Sequence, residues 1–257
     1  MNQVARVALA LWLLGTGSAW AEWKILATEP QSTGRAGVVQ LTTSAEESGT
    51  GTKATLHLAI FPMKTATLRV IDNGAKPDAS VADTMEREQA IAGVNGGYFD
   101  PDYGVVGLLI SDGRVVGPQQ KARLLSGILS VSQGRVQVQR AAEFSLKSKP
   151  SAARQCGPFL VERGQAVPGL NDGRRARRTF VLVAGERAAI GYCSSVTLAQ
   201  LGNLLATPGA TGDLKIARAL NLDGGSSSGF WCNGSGGVVS VREGKTVRDF
   251  LAIVPRR

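Results

Sequence analysis

The segment Ala219-Leu220-Asn221-Leu222-Asp223-Gly224-Gly225-Ser226-Ser227-Ser228-Gly229 changes character at its centre, from apolar residues to a carboxylate followed by glycines and hydroxyls. Its apolar half predicts a buried strand that ends at Asp223. Gly224 and Gly225 have no side chain, so a ligand can approach their backbone closely, and their N–H groups can face an anion. The segment predicts a strand-based fold with a pocket at a strand end.

A second strand exit of the same kind lies earlier in the chain. Ala92-Gly93-Val94 leads into Asn95-Gly96-Gly97-Tyr98-Phe99-Asp100-Pro101-Asp102, which again places glycine and acid after apolar residues. Either segment alone is equally consistent with an ordinary glycine turn that leaves a strand. Two such exits, each with acidic residues, favour one shared pocket.

Alternating apolar residues dominate the rest of the chain and predict strands over residues 55–61, 68–71, 105–110, 127–131, 136–139, 159–161, 179–183 and 188–192. Two helices are expected. The first, over residues 80–92, begins with a Ser80-x-x-Asp83 cap, and the second, over 195–206, carries Thr197 and Gln200 as a capping box. The pattern predicts an α+β fold, a strand-rich mixed sheet with few covering helices.

The N-terminal residues 1–21 have the features of a signal peptide: a charged start, an apolar run too short to span a membrane, and a small-residue cleavage site. We therefore expect a periplasmic or secreted protein without stable membrane insertion. Residues 22–53, rich in Ser, Thr and Gly, predict a partly loose segment before one domain over 54–257. The sequence leaves the oligomeric state open.

The chain is basic, with 29 Lys and Arg against 20 Asp and Glu, a formal net charge of +9. Such an excess fits nucleic acid, a membrane surface or an acidic polymer, and it also fits simple solubility. The basic residues are scattered except at 174–178, and no basic helix or interleaved aromatic series accompanies them. Nucleic acid is therefore not an expected partner.

The three cysteines are Cys156, Cys193 and Cys232. An exported chain meets oxidising conditions, so the simplest expectation is one disulfide and one free thiol. Cys193 and Cys232 flank the Asp223 segment and are the preferred pair. Zinc is not expected, because the chain has no CxxC pair and a single histidine.

The single histidine limits the possible chemistry. Acyl transfer by serine or cysteine usually needs a histidine base, and His57 lies inside an alternating run, where a structural role is expected. The run 225–229 matches a nucleophile-elbow pattern, but His57 precedes it and no helix is predicted to follow. Carboxylates remain, and they are the usual groups of glycosidic chemistry. The catalytic candidates are Asp223, then Asp100 and Asp102.

Asp100 and Asp102 have two other interpretations. A Pro-containing turn in which an aspartate caps its own backbone is equally expected. Alternating acidic oxygens also suit a hard cation such as Ca²⁺, although no complete loop motif is present. No cofactor is assigned with certainty, and the need for a metal is left open.

Arg178 is the candidate anion ligand. A guanidinium binds phosphate oxygens through two parallel hydrogen bonds and keeps its charge at any working pH. Arg178 leads directly into the predicted strand over 179–183, whereas Arg174 and Arg175 follow a turn and are expected in solvent.

Three motifs, NGGYFDP at 95–101, RRTF at 177–180 and NLDGGSSS at 221–228, resemble in order and spacing those of the phosphodiester glycosidase family. The resemblance spans roughly residues 56–254. It implies a carbohydrate or sugar-phosphate substrate and matches Arg178 to the arginine of the family's Arg-Thr motif. Arg248 also resembles a family position, although a surface salt bridge is equally expected there. Ser226 stands where the family more often has a third glycine.

These observations lead to the hypothesis of an exported hydrolase that cleaves the glycosidic bond of a sugar phosphodiester, or of a related cell-envelope glycan, by carboxylate acid–base chemistry. The alternatives are a non-catalytic glycan-binding or envelope accessory protein, and a glycosidase for neutral sugars. The expected substrate-binding residues are Asn95, Gly96, Gly97, Tyr98, Arg178, Thr179, Asn221, Gly224, Gly225, Ser226, Ser227 and Arg248.

Overall fold

The computed structural model describes residues 22–256, which form eighteen β-strands, two α-helices and two short 3-10 helices. The strand-rich fold with few helices agrees with the expectation from sequence. The pairing differs from the expected mixed sheet, because the named strands within 22–256 form three sheets whose pairs are all antiparallel. Residues 1–21, the predicted signal peptide, lie outside the described residues.

The largest sheet has eight strands. In spatial order they are β1 (Trp23–Ser32), β2 (Val39–Glu47), β3 (Lys53–Pro62), β14 (Arg187–Val196), β13 (Ala176–Ala184), β15 (Arg218–Asn221), β11 (Phe159–Glu162) and β12 (Gln165–Ala166). Its central strands are covered on both faces, so Leu58, Phe180 and Leu220 are completely buried. This double burial explains their nearly continuous apolar sequence.

The other two sheets have five strands each. The second consists of β7 (Arg114–Gly117), β6 (Leu109–Ser111), β10 (Ala152–Cys156), β8 (Gly127–Ser132) and β9 (Arg135–Arg140). The third consists of β17 (Gly237–Val241), β16 (Phe230–Gly234), β5 (Ala92–Asn95), β18 (Asp249–Pro255) and β4 (Ala66–Asp72). One apolar core joins all three sheets, with Phe61, Leu129 and Leu251 each contributed by a different sheet. Burial of these side chains is the main force that holds the sheets together.

Both helices begin where their capping boxes predict. Helix α1 (Val81–Arg87) is capped by Ser80 and Asp83, and helix α2 (Leu198–Ala206) by Thr197 and Gln200. The first helix is shorter than expected, because Gln89 takes a positive φ of 52° and the chain turns into β5. Within residues 22–256, neither helix is long or apolar enough to cross a membrane.

The prediction of a partly loose segment over 22–53 is wrong. Residues 23–32 and 39–47 form β1 and β2, and β2 pairs with β3 along eight residues. From Leu41 the segment alternates as a half-buried strand does: Leu41, Thr43 and Ala45 are buried, and Thr42, Ser44 and Glu46 are partly exposed. Threonine has a high strand propensity, which a reading based on its polarity overlooks.

The expected disulfide between Cys193 and Cys232 is absent from the described residues, in which all three cysteines are free and buried. Cys193 lies in β14 and Cys232 in β16, which belong to different sheets. Burial raises the pKa of the Cys156, Cys193 and Cys232 thiols to about 12, so all three are protonated at neutral pH. They act as small apolar core residues.

A shorter strand than expected lies between residues 105 and 110. Regular pairing begins only at Leu109, and Val105 forms a single bridge to Phe99. Gly107 has a positive φ of 85°, which interrupts the extended backbone. The residues before β6 therefore form a loop that covers the segment after β5.

Candidate active site

The two strand exits identified in the sequence meet in space. The Asp223 N–H donates to the Gly96 carbonyl at 3.1 Å. In return, the Asn95 side-chain amide donates to the Asp223 carbonyl at 2.8 Å. The ends of β5 and β15 are thereby joined, although they belong to different sheets and lie 128 residues apart in the chain.

Buried hydrogen bonds of Asn95 and Thr179 stabilise this junction between the two strand ends. The Thr179 hydroxyl lies 2.9 Å from the Asn95 side-chain oxygen and 2.8 Å from the Asp223 carbonyl. The Asn95 oxygen also accepts the Gly229 N–H at 3.2 Å. Both side chains are buried and use their polar atoms within the protein. They hold the two loops together, which is a supporting role and differs from the direct substrate contact expected from sequence.

Asp223 presents the central carboxylate of the site. It is partly exposed, and its Oδ1 accepts the Gly224 N–H at 2.9 Å. Burial raises the pKa of Asp223 above the ordinary aspartate value, and the Ser227 hydroxyl and the charge of Lys245 oppose this shift. A carboxyl group with a raised pKa is a stronger base than an exposed aspartate, which suits proton transfer near neutral pH.

The glycine and serine residues after Asp223 form a tight 3-10 turn over Gly225–Ser227. Gly225 has a positive φ of 67° and open space where a Cβ would lie. Ser226 is exposed and Ser227 is buried. Arg177 holds the turn, since its guanidinium donates to the carbonyls of Gly225 at 3.2 Å and Arg242 at 3.0 Å.

Arg178 lies beside this turn as a half-buried cation. Its Nε donates to the Val196 carbonyl at 3.3 Å and its Nη2 to the Arg174 carbonyl at 2.8 Å. A Cβ added to Gly224 would be 3.5 Å from Nη1 of Arg178, so this end of the guanidinium faces the turn. Burial lowers the pKa of Arg178, and the nearby charge of Arg174 acts in the same direction. An anion at this position would compensate both effects.

Tyr98 and Asn221 lie at the ends of the same two segments, and their side chains are joined by a hydrogen bond. The Tyr98 hydroxyl donates to the Gly157 carbonyl at 2.5 Å and accepts from the Asn221 amide at 3.3 Å. Burial raises the pKa of Tyr98, with further contributions from Cys156 and Asp223, so its hydroxyl keeps its proton. The side-chain oxygen of Asn221 is buried and has no hydrogen-bond partner within residues 22–256.

An ion pair that sequence reasoning missed supports the loop after β5. Arg154 and Asp249 have no solvent exposure, and Nε lies 3.0 Å from Oδ1. Arg154 donates to the Tyr98 carbonyl at 2.6 Å, and Asp249 accepts the Gly97 N–H at 3.2 Å. A Cβ on Gly96 would lie 1.7 Å from the Asp249 carboxylate, and one on Gly97 would lie 2.4 Å from the Arg154 guanidinium. These two glycines therefore make room for the ion pair.

Asp100 and Asp102 lie in an exposed turn. The Asp100 carboxylate accepts the Asp102 N–H at 3.0 Å and the Gly104 N–H at 2.7 Å, so it caps its own turn as one of the sequence alternatives expects. Amide donors directed at the carboxylate favour this capping over cation binding. Within residues 22–256, no group of three or more His, Cys, Asp or Glu side chains is placed to hold a metal ion.

Arg248 and His57 interact with residues outside the candidate site. Arg248 is buried and forms an ion pair with Asp72, so the salt bridge expected as an alternative is present but lies below the surface. His57 lies beside the rings of Tyr192 and Phe230, at centroid distances of 6.1 and 5.8 Å. Burial lowers its pKa. His57 is thus a neutral structural residue at physiological pH, as the sequence predicts.

Lys245 is a second cation of the site that sequence reasoning missed. Its Nζ lies 4.6 Å from the centroid of the Phe99 ring. The preceding residue, Gly244, donates its N–H to the Ser226 carbonyl at 2.7 Å, which ties the Lys245 loop to the turn after Asp223. The sequence offers one weak signal, a Gly-Lys pair shortly before the last strand, and that signal does not predict that the lysine charge acts on Asp223.

Comparison with known proteins agrees with this geometry. The family model described as phosphodiester glycosidase matches residues 88–254, which include all three motifs identified in the sequence and confirm the resemblance. Curated protein sequences give no significant match.

Two solved structures show the same fold. The catalytic domain of zebrafish N-acetylglucosamine-1-phosphodiester alpha-N-acetylglucosaminidase, auto-inhibited by its pro-peptide, is 16% identical with a TM-score of 0.62, covering 94% of this chain and 85% of that one. A hypothetical protein from Synechocystis is 12% identical with a TM-score of 0.60, covering 85% of this chain and 62% of that one.

Proposed function

We propose, from the premise that the chain belongs to the phosphodiester glycosidase family, that it hydrolyses the glycosidic bond of a sugar carried on a phosphodiester or in a related cell-envelope glycan. Water supplies a hydroxyl group to the anomeric carbon, the bond from that carbon to the phosphate oxygen breaks, and the remaining proton goes to the phosphate or to solvent. The products are a free sugar and a phosphomonoester.

Asp223 carries this proposal. It lies at the junction of two strand ends, its orientation is fixed by the Gly224 N–H, and burial raises its pKa. A departing phosphomonoester has a conjugate acid with a pKa of about 6, so it leaves with little need for protonation. The harder task is to generate the nucleophile and to stabilise positive charge at the anomeric carbon. We therefore assign Asp223 as the base or charge-stabilising carboxylate.

Arg178 supplies the anion contact. It is half-buried, lies beside Gly224 and has no carboxylate partner among the described residues. A guanidinium can bind two oxygens of the phosphodiester and stabilise the second negative charge that the phosphate gains as the bond breaks. Binding that strengthens in the transition state raises kcat as well as affinity.

The test follows the cleaved bond in ¹⁸O-labelled water with an N-acetylglucosamine-1-phosphodiester, the substrate class in the name of the zebrafish relative. Cleavage of the carbon–oxygen bond leaves the phosphomonoester unlabelled, whereas attack at phosphorus would label it. Free sugar together with unlabelled phosphomonoester supports the proposal. Binding without product would support the alternative of a non-catalytic glycan-binding protein.

We further propose that the protein acts outside the cytoplasm. The support is the signal-peptide pattern of residues 1–21. Fractionation of cells that express the full chain, compared with a variant that lacks residues 2–21, tests this proposal. Equal distribution of the two proteins would contradict it.

A further inference from the structure

A cavity of about 600 Å³ lies at the opposite end of the eight-stranded sheet from Asp223. Its lining includes Gly164, in the turn after β11, and Gln165, the first residue of β12. β11 runs antiparallel to β15: Phe159 pairs with Leu220 near Asp223, and the far end of β11 leads into this turn. Small-molecule sites commonly have volumes of about 300–1,000 Å³. The cavity is therefore large enough for a ligand and is separate from the candidate active site.

The cavity lies between the two outer strands of that sheet. β1 and β12 are the first and last strands in spatial order, yet Trp23 of β1 and Gln165 of β12 line the same cavity. The sheet is therefore curled, with an opening between its edges. Helix α2 lies beside this opening and contributes Asn203 to the lining. Gly202 allows close packing of the helix, since a Cβ there would lie 3.0 Å from the Leu160 carbonyl oxygen of β11.

The lining carries hydrogen-bonding groups that the protein does not use. Trp23 is only 3% exposed, and its indole N–H is buried without a hydrogen-bond partner within residues 22–256. The side-chain amides of Asn203 and Gln165 also form no hydrogen bond in that part of the chain, and Asn203 binds the Thr207 hydroxyl through its backbone carbonyl alone. A buried donor without an acceptor costs free energy. A ligand oxygen that accepts the indole N–H would remove this cost.

The charges at the cavity disfavour an anion. Glu22 is part of the lining, and Glu47 lies directly opposite Trp23 in β2, buried, with its Oε2 accepting the Gln200 side-chain amide at 2.8 Å. Within the described residues, neither glutamate forms an ion pair, and the lining contains no Lys or Arg. The cavity thus offers donors and acceptors together without positive charge. Hydroxyl groups, which both donate and accept, match this set.

We propose that this cavity is a second, non-catalytic site that binds a neutral saccharide, whose hydroxyl groups bind the amides of Asn203 and Gln165 beside the Trp23 ring. A sugar ring has apolar C–H groups that pack against an indole, and hydroxyl groups at its edge that reach the two amides. The inference goes beyond the proposed hydrolysis and does not depend on it. An occupant of this cavity leaves the Asp223 end of the protein free.

The experiment follows the indole N–H signals of the ¹⁵N-labelled protein by NMR during titration with neutral disaccharides of glucose, mannose, galactose and N-acetylglucosamine. The Trp23 signal is identified by its loss in Trp23→Phe. We expect at least one disaccharide to shift this signal in a saturable manner. Trp231, which lies in β16 of the third sheet, is the internal reference, and its signal should stay in place. Glucose 1-phosphate, the charged comparison, should shift neither signal.

Asn203→Ala should raise the Kd of that disaccharide by roughly threefold to tenfold, the effect of one lost hydrogen bond. Gln137→Ala is the matched control, because Gln137 is an exposed amide in β9 of the second sheet, and it should leave the Kd unchanged. The inference is overturned if no disaccharide shifts the Trp23 signal at up to about 50 mM. It is also overturned if glucose 1-phosphate produces an equal shift, or if the two variants have the same Kd.

Discussion

Arg154 and Asp249 form an ion pair that is sealed from solvent and lies against the backbone of the loop after β5. Besides its contact with Asp249, the Arg154 guanidinium donates to the Val106 carbonyl at 2.9 Å, so it also fixes the loop before β6. The Asp249 backbone carbonyl accepts the Gly96 N–H at 2.7 Å. The ion pair thereby sets the position of Gly96, whose carbonyl binds the Asp223 N–H.

The first prediction concerns this ion pair. Asp249→Asn should lower the free energy of unfolding by about 3–5 kcal/mol, because Arg154 would keep a buried charge without its counter-ion. Glu186→Gln is the control, since Glu186 pairs with Arg135 at the surface. That variant should cost less than about 1 kcal/mol. Urea unfolding measures the free energy of unfolding of both variants. A similar decrease in the two variants would contradict the prediction.

The second prediction concerns the glycines of the same loop. Gly96→Ala should cost more than about 3 kcal/mol or prevent folding, because its Cβ would overlap the Asp249 carboxylate. Gly225→Ala should cost only about 1 kcal/mol, since open space surrounds the new Cβ and only the positive φ opposes it. Thermal unfolding compares the two, and a reversed order would show that the loop adapts to a side chain.

The third prediction tests the role of Asp223. Asp223→Asn should lower kcat by roughly 10²–10⁴ while the fold and ligand binding persist, because the amide cannot take up a proton or stabilise positive charge. Circular dichroism checks the fold, and a single-turnover assay measures the rate. A folded variant with the turnover of the parent would remove Asp223 from the mechanism.

The fourth prediction follows from the raised pKa of Asp223. A carboxyl group whose pKa is higher in the folded state opposes folding when it is ionised, and this cost disappears below the ordinary aspartate pKa of about 3.9. Asp223→Asn should therefore raise Tm at pH 7, and the gain should vanish as the pH falls through the folded pKa towards pH 4. A gain that is constant with pH would point to a cause other than ionisation.

The fifth prediction tests the anion contact. On a sugar phosphodiester, Arg178→Ala should lower kcat/KM strongly, and Arg178→Lys should have a smaller effect, because lysine keeps the charge but loses the two parallel hydrogen bonds. Arg174→Ala should change kcat/KM on the same phosphodiester little, because Arg174 is exposed. A matched neutral glycoside is the comparison substrate. Equal loss on both substrates after Arg178→Ala would give Arg178 a structural role and would favour a glycosidase for neutral sugars.

Local sequence patterns predict much of the secondary structure. The capping boxes at Ser80 and Thr197 follow from hydrogen bonds within one turn, so a short sequence window suffices to predict them. The convergence of Asn95 and Asp223 follows from two strand ends that share glycine and acid. Long-range pairing is different. Arg154 and Asp249 lie 95 residues apart, and neither has a local signature that reveals its partner.

Other sequence interpretations depended on features that only the structure supplies. The turn at Asp100 fits both a capping and a catalytic interpretation, and the structure shows the hydrogen bonds of the cap. The expected compartment predicts one disulfide and the positions beside the Asp223 segment favour Cys193 with Cys232, but neither gives the distance between β14 and β16. The charge of Lys245 acts on Asp223 from a loop that the Gly244–Ser226 hydrogen bond holds beside the turn, and sequence spacing does not connect these residues.

The hydrogen bond between Gly97 and Asp249 spans 152 residues, and it ties formation of the candidate site to the order of synthesis. A chain released before β18 lacks the carboxylate that shapes the loop after β5, even though Asp223 is already present. Such a shortened product would carry Asp223 without the carboxylate that positions the neighbouring loop. The proposed hydrolysis would therefore become possible only after the final strand is made.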